Sequence, residues 1–104
     1  MTFITYDAGH KYGLYNVDGG DPQVLQFIQK TPVAGDKRDL VTVVNGTTNE
    51  TVIAVLIDRL QFLGGVLPSE ENERAVFHLK EALIVLNQRT ADRKARGVEG
   101  TYIK

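Results

Sequence analysis

Five residues, Gly64-Gly-Val-Leu-Pro68, separate two stretches of helical periodicity. A link this short obliges the two helices to fold back on each other as an antiparallel hairpin. Upstream, Thr47 followed by Glu50 has the pattern of a capping box, and residues 52–63 are apolar over a wide face. Gly64 and Gly65 read as a C-terminal stop, with Gly64 free to take a positive φ. Pro68-Ser69 restarts the chain, Ser69 as N-cap and Glu70, Glu71 and Glu73 in the acid-favouring first turn. The second helix is expected to run to about Arg96 and stop at Gly97.

The front half is built differently. Phe3-Ile-Thr-Tyr6, Tyr12-Gly-Leu-Tyr-Asn-Val17, Val24-Leu-Gln-Phe-Ile28 and Leu40-Val-Thr-Val-Val44 are short and rich in β-branched or aromatic residues. Asp7-Ala-Gly9, Asp18-Gly-Gly-Asp-Pro22 and Pro32-Val-Ala-Gly-Asp36 lie between them and have turn chemistry. Short connections favour an antiparallel meander. The expected class is therefore α+β, a small N-terminal antiparallel sheet of three or four strands followed by a C-terminal two-helix hairpin. The 104 residues suit one domain, with the meander in 1–46 and the hairpin and its tail in 47–104.

Within the second helix, Ala75, Leu79, Ala82 and Leu86 recur at spacings of four and three, and the same rhythm continues to Arg89, Arg93 and Arg96. A packing seam thus turns into a row of guanidiniums. Two explanations are open. Cations in a last turn complement the helix dipole, and Arg89 can pair with Asp92; alternatively, guanidinium forks placed on a seam hold phosphate. Phe62 and Asn72 flank the inter-helix link. The ring is either core or a stacking platform, and the amide either a terminal polar group or a reader of a base edge. The tail Gly97-Val-Glu-Gly-Thr101 is either a helix stop with a loose end or a turn presenting amides and the Thr101 hydroxyl to an anion.

Other chemistries are poorly represented. Twelve Lys and Arg against 13 Asp and Glu leave a formal charge of −1, which argues against a general nucleic-acid binder. With no cysteine, disulfide and thiol chemistry are excluded. No signal peptide opens the chain and no apolar run approaches the roughly 20 residues of a membrane span, so a cytosolic protein is expected. His10 and His78 lie in different halves, Ser69 is placed for capping, and neither a Walker loop nor a dinucleotide glycine motif follows any strand. Neither an enzyme nor a bound metal or cofactor is expected. The first helix carries more apolar surface than one small sheet and one helix can cover, so a homo-oligomer is expected.

The hairpin segments Pro68-Ser-Glu-Glu-Asn72, Leu79-Lys-Glu-Ala-Leu83 and Arg89-Thr-Ala-Asp-Arg-Lys-Ala-Arg-Gly-Val-Glu-Gly-Thr101 resemble the helical hairpin of phage anti-defence sponges. These sponges act against the CBASS and Thoeris systems. The front segment Tyr6-Asp-Ala-Gly-His-Lys-Tyr-Gly-Leu-Tyr15 resembles the first-described Thoeris anti-defence branch. The resemblance implies a non-enzymatic protein, in the cytoplasm of the infected host, that captures a cyclic ADP-ribose isomer between subunits of a dimer or hexamer. It implies that Phe62 stacks on adenine, Asn72 hydrogen-bonds the ligand, Arg89 holds phosphate and Arg93 assists. Arg38 or Lys37, in the loop before the last strand, would add a phosphate contact. Arg96, Gly100 and Thr101 would belong to a second, cyclic-trinucleotide site. The alternatives are an inhibitor that docks its apolar first helix on a defence effector, and an enzyme that degrades the messenger.

Overall fold

The computed structural model describes residues 2–33 and 36–95, with the side chains of 36–39 set aside. The chain divides into two compact units, Met1–Thr48 and Asn49–Lys104. The first holds five strands and the second two helices, an α+β arrangement as the sequence predicts.

In the first unit, β1 (Phe3–Asp7), β2 (Lys11–Leu14) and β3 (Gln23–Gln26) form one antiparallel sheet with β2 in the centre. Gly9, at φ +80°, closes the β1–β2 turn, where His10 N–H donates to the Asp7 carbonyl at 2.9 Å. Tyr12 stacks edge-on against Phe3 and Phe27, at 5.7 and 6.0 Å between ring centroids. A second, two-stranded ribbon pairs β4 (Gln29–Val33) with β5 (Asp36–Val44). Sequence reading assigns Pro32-Val33 to a turn and so misses β4. In a two-stranded ribbon each strand is an edge, and the proline's missing N–H costs no ladder bond. Strand β5 also starts earlier than expected. Lys37 and Arg38 fall inside it, on a stretch bulged between the Pro32↔Leu40 and Val33↔Asp36 pairs.

The second unit is an antiparallel hairpin of α1 (Asn49–Val66) and α2 (Glu70–Ala95). Two expected boundaries change. Because α1 begins at Asn49, its N-cap position is Thr48 and not Thr47, whose N–H donates to the Gln26 carbonyl and whose carbonyl accepts from Ile28 N–H, both at 2.9 Å. Gly64 and Gly65 do not stop α1 either; both are helical, and neither has a positive φ. The link shortens to Leu67-Pro68-Ser69.

The hairpin seam runs in alternating steps of four and three. On α2 the shielded positions that keep this rhythm are Asn72, Val76, Leu79, Leu83, Leu86, Thr90 and Arg93, with Ala75 also half-buried beside Val76. This register lies one residue from the one the sequence suggests at every second step. The bulk of Val76 and Leu83 decides the helix rotation over that of Ala75 and Ala82, and Ala82 is left exposed. On α1 the matching positions are Ile53, Ile57, Leu60 and Gly64. Ile57, at 8% exposure, is the one apolar side chain among the described residues that is buried. Val55, Leu56, Val66 and Leu67 remain exposed.

Candidate functional site

The chemistry of the hairpin gathers at the link end. The Ser69 hydroxyl oxygen accepts from the Asn72 N–H at 3.2 Å, the cap that the sequence predicts. The same hydroxyl donates to the Glu71 carboxylate at 3.0 Å. Glu71's own backbone N–H and this hydroxyl hold its carboxyl below the usual carboxylate range. A depressed pKa contributes stability that is present above the unfolded value and lost as pH falls through the folded one. Glu71 is fully solvated, so the effect on stability is slight; the local titration is the useful readout. Replacing Ser69 by alanine should move the Glu71 titration upward toward its ordinary value, which NMR titration of its side chain would record.

The cap also fixes the azimuth of Asn72. An open groove of about 290 Å³ lies there, lined by Leu60, Gln61, Gly64, Asn72, Glu73 and Val76. Four of these six are seam positions, and Gln61 and Glu73 form the rim. The lining is mixed: two aliphatic walls, two amides and one carboxylate. Such a surface suits a flat, neutral, hydrogen-bonding group better than a phosphate, which the rim carboxylate and the acidic first turn would repel. Sequence reading finds Asn72 but assigns Glu73 to the helix dipole and Gly64 to a helix stop, and passes over Gln61. Carrying the α1 seam one step beyond Leu60 would have reached Gly64.

The other expected residues are spread out. Phe62 lies outside the groove lining and is 66% exposed, which removes the core reading. Arg89 is exposed and off the seam; Thr90 takes the seam position and donates its hydroxyl to the Leu86 carbonyl at 3.2 Å. Arg93 is on the seam and, at 8% exposure, is the buried charged side chain among the described residues. At a rise of about 1.5 Å per residue, Arg89 sits about 25 Å along α2 from Asn72. One hairpin therefore does not bring Asn72 and Arg89 to a common small ligand. Arg38 belongs to the strand unit, while Arg96, Gly100 and Thr101 lie outside the described residues. Among the described residues no three His, Asp or Glu side chains gather as a metal site, and no helix is long and apolar enough to cross a membrane.

No family model matches the chain. Over 61 residues it is 51% identical to Thoeris anti-defense 1 of Bacillus phage SBSphiJ7. That stretch is 58% of this chain and 43% of the relative, so the chain spans less than half of the relative's length. The relative's name is that of the anti-defence branch that the sequence motifs resemble.

Proposed function

We propose that this chain is a phage anti-defence protein of the Thoeris anti-defence family. It sequesters a cyclic nucleotide messenger, a cyclic ADP-ribose isomer, and does not cleave it. The observation that carries the reading is the 51% identity with Thoeris anti-defense 1. The geometry supports it in two ways. The Asn72 groove has the polarity of a base-sized site, and Arg89 offers an exposed guanidinium for phosphate. The 25 Å between them is bridged when Asn72 of one hairpin faces Arg89 of a second. The protein would then work as a homo-oligomer, dimer or hexamer, in the cytoplasm of the infected cell. Arg93 assists near the basic end. Arg96, Gly100 and Thr101 serve a second, cyclic-trinucleotide site.

A second reading is favoured by the exposed apolar residues of α1. Val55, Leu56, Phe62 and Val66 could dock on a defence effector. One experiment separates the readings: incubate protein with the cyclic ADP-ribose isomer, measure what stays free, then denature by heat and measure again. Depletion followed by intact recovery supports capture. Fragments indicate an enzyme, and no depletion indicates protein-directed inhibition. Arg89→Ala should weaken binding about 10- to 100-fold, the loss of one charged phosphate contact, with Lys rescuing only in part. Wild-type affinity in that variant, measured by calorimetry, would return Arg89 to a dipole role.

A further inference from the structure

The seam of α1 ends in a hole. Ile53, Ile57 and Leu60 follow the four-three rhythm, and the next inward position is Gly64, opposite Asn72 and Val76. Glycine in a helix usually answers one of two needs, and neither applies. Its φ is not positive, so the backbone does not require it. A Cβ built on Gly64 meets nothing within 4 Å, so the packing does not require it either. Glycine also disfavours the helix, and here the chain carries two in succession. What the missing side chain does produce is the floor of the groove beside Leu60, Asn72 and Val76.

We propose that Gly64 is a clearance residue: its bare backbone keeps the seam open so that a flat, hydrogen-bonding heterocycle of the captured ligand can enter between the helices. This rests on the sequestration reading and deepens it. Leu60 and Val76 provide apolar walls, the Gln61 and Asn72 amides pair with ring donors and acceptors, and Glu73 accepts from an exocyclic amine. The groove volume, about 290 Å³, is at the low end for small-molecule sites, which fits one ring system and not a whole dinucleotide. Gly65 points away from the groove and is absent from its lining, yet a Cβ there is equally free of neighbours. It is therefore an internal control.

The test compares Gly64→Ala and Gly65→Ala with wild type in the full chain, with a cyclic ADP-ribose isomer as probe. Each variant should melt higher by about 4–8 °C, because each removes a helical glycine without a clash. Calorimetry should show wild-type affinity for Gly65→Ala and a loss of about tenfold or more for Gly64→Ala. A gain in stability coupled to a loss of binding at Gly64 alone is the signature. The proposal is overturned if Gly64→Ala binds as wild type, or if it melts lower, which would reveal an intramolecular need for glycine. It is equally overturned if Gly64→Ala changes the mass in light scattering, since a second copy would then fill the hole. Wild type that does not bind the probe would instead defeat the sequestration reading, and this proposal with it.

Discussion

Replacing Gly46 by alanine is expected to lower the melting temperature by about 10–20 °C, corresponding to a cost of about 2–3 kcal/mol. A Cβ there would stand 2.5 Å from the Gln26 carbonyl oxygen, 2.5 Å from the Phe27 carbonyl carbon and 2.7 Å from the Ile28 nitrogen. All three are backbone atoms and cannot swing aside. They also belong to the segment that Thr47 pins with its two 2.9 Å hydrogen bonds. Forcing them apart breaks the bridge between Phe27 and Thr47 just ahead of α1. Gly13 makes the contrast. Its Cβ would stand 2.6 Å from the Tyr6 hydroxyl, at the far end of a half-exposed side chain that can rotate. Gly13→Ala should therefore cost much less. A circular dichroism melt of Gly46→Ala within about 3 °C of wild type would contradict the account, because the overpacking would then be under about 1 kcal/mol.

Phe62→Ala is expected to separate binding from stability. The ring is largely exposed, so the melting temperature should move by no more than the about 0.5 kcal/mol usual for surface positions. If the ring stacks on a base, affinity for the cyclic ADP-ribose isomer should fall by about 5- to 150-fold, the equivalent of about 1–3 kcal/mol. Asn72→Trp acts on the other side of the hairpin end. It retains the backbone N–H that Ser69 holds, so the cap survives, while the indole occupies the groove. Depletion of the messenger should cease with little change in melting temperature. A Phe62→Ala/Asn72→Trp double variant that still depleted the messenger would move the site toward the basic end of α2.

The class of fold was legible in the sequence because periodicity changes so plainly near residue 47. The hairpin was legible because Ser69 and the acids after it mark a helix start with little ambiguity. Three features were not. Strand β4 contains Pro32, and only its position in a two-stranded ribbon makes that proline harmless. The paired glycines at 64 and 65 have the local chemistry of a stop, yet α1 runs through them to Val66. The arginine row depended on a register that alanine and leucine support almost equally by spacing; side-chain volume shifts it, turning Arg89 outward and keeping Arg93 inside. Of the expected site residues, Asn72 is in the groove, whereas Phe62 and Arg89 are not. Sequence spacing does not reveal whether residues on opposite faces or distant turns meet through another copy.

Ile57 stands alone among the described apolar side chains in being buried, and even it keeps 8% exposure, which bears on dosage. Apolar burial contributes about 25 cal/mol per Å², and if copies associate as proposed, a chain that shields so little by itself would draw its remaining stability from association. On the oligomeric reading, persistence in the cell then rises with abundance. Early in expression, scattered copies would be short-lived targets for proteolysis. Past the concentration at which they associate, the same copies would become durable and able to hold messenger at once, so protection would switch on over a narrow range of expression.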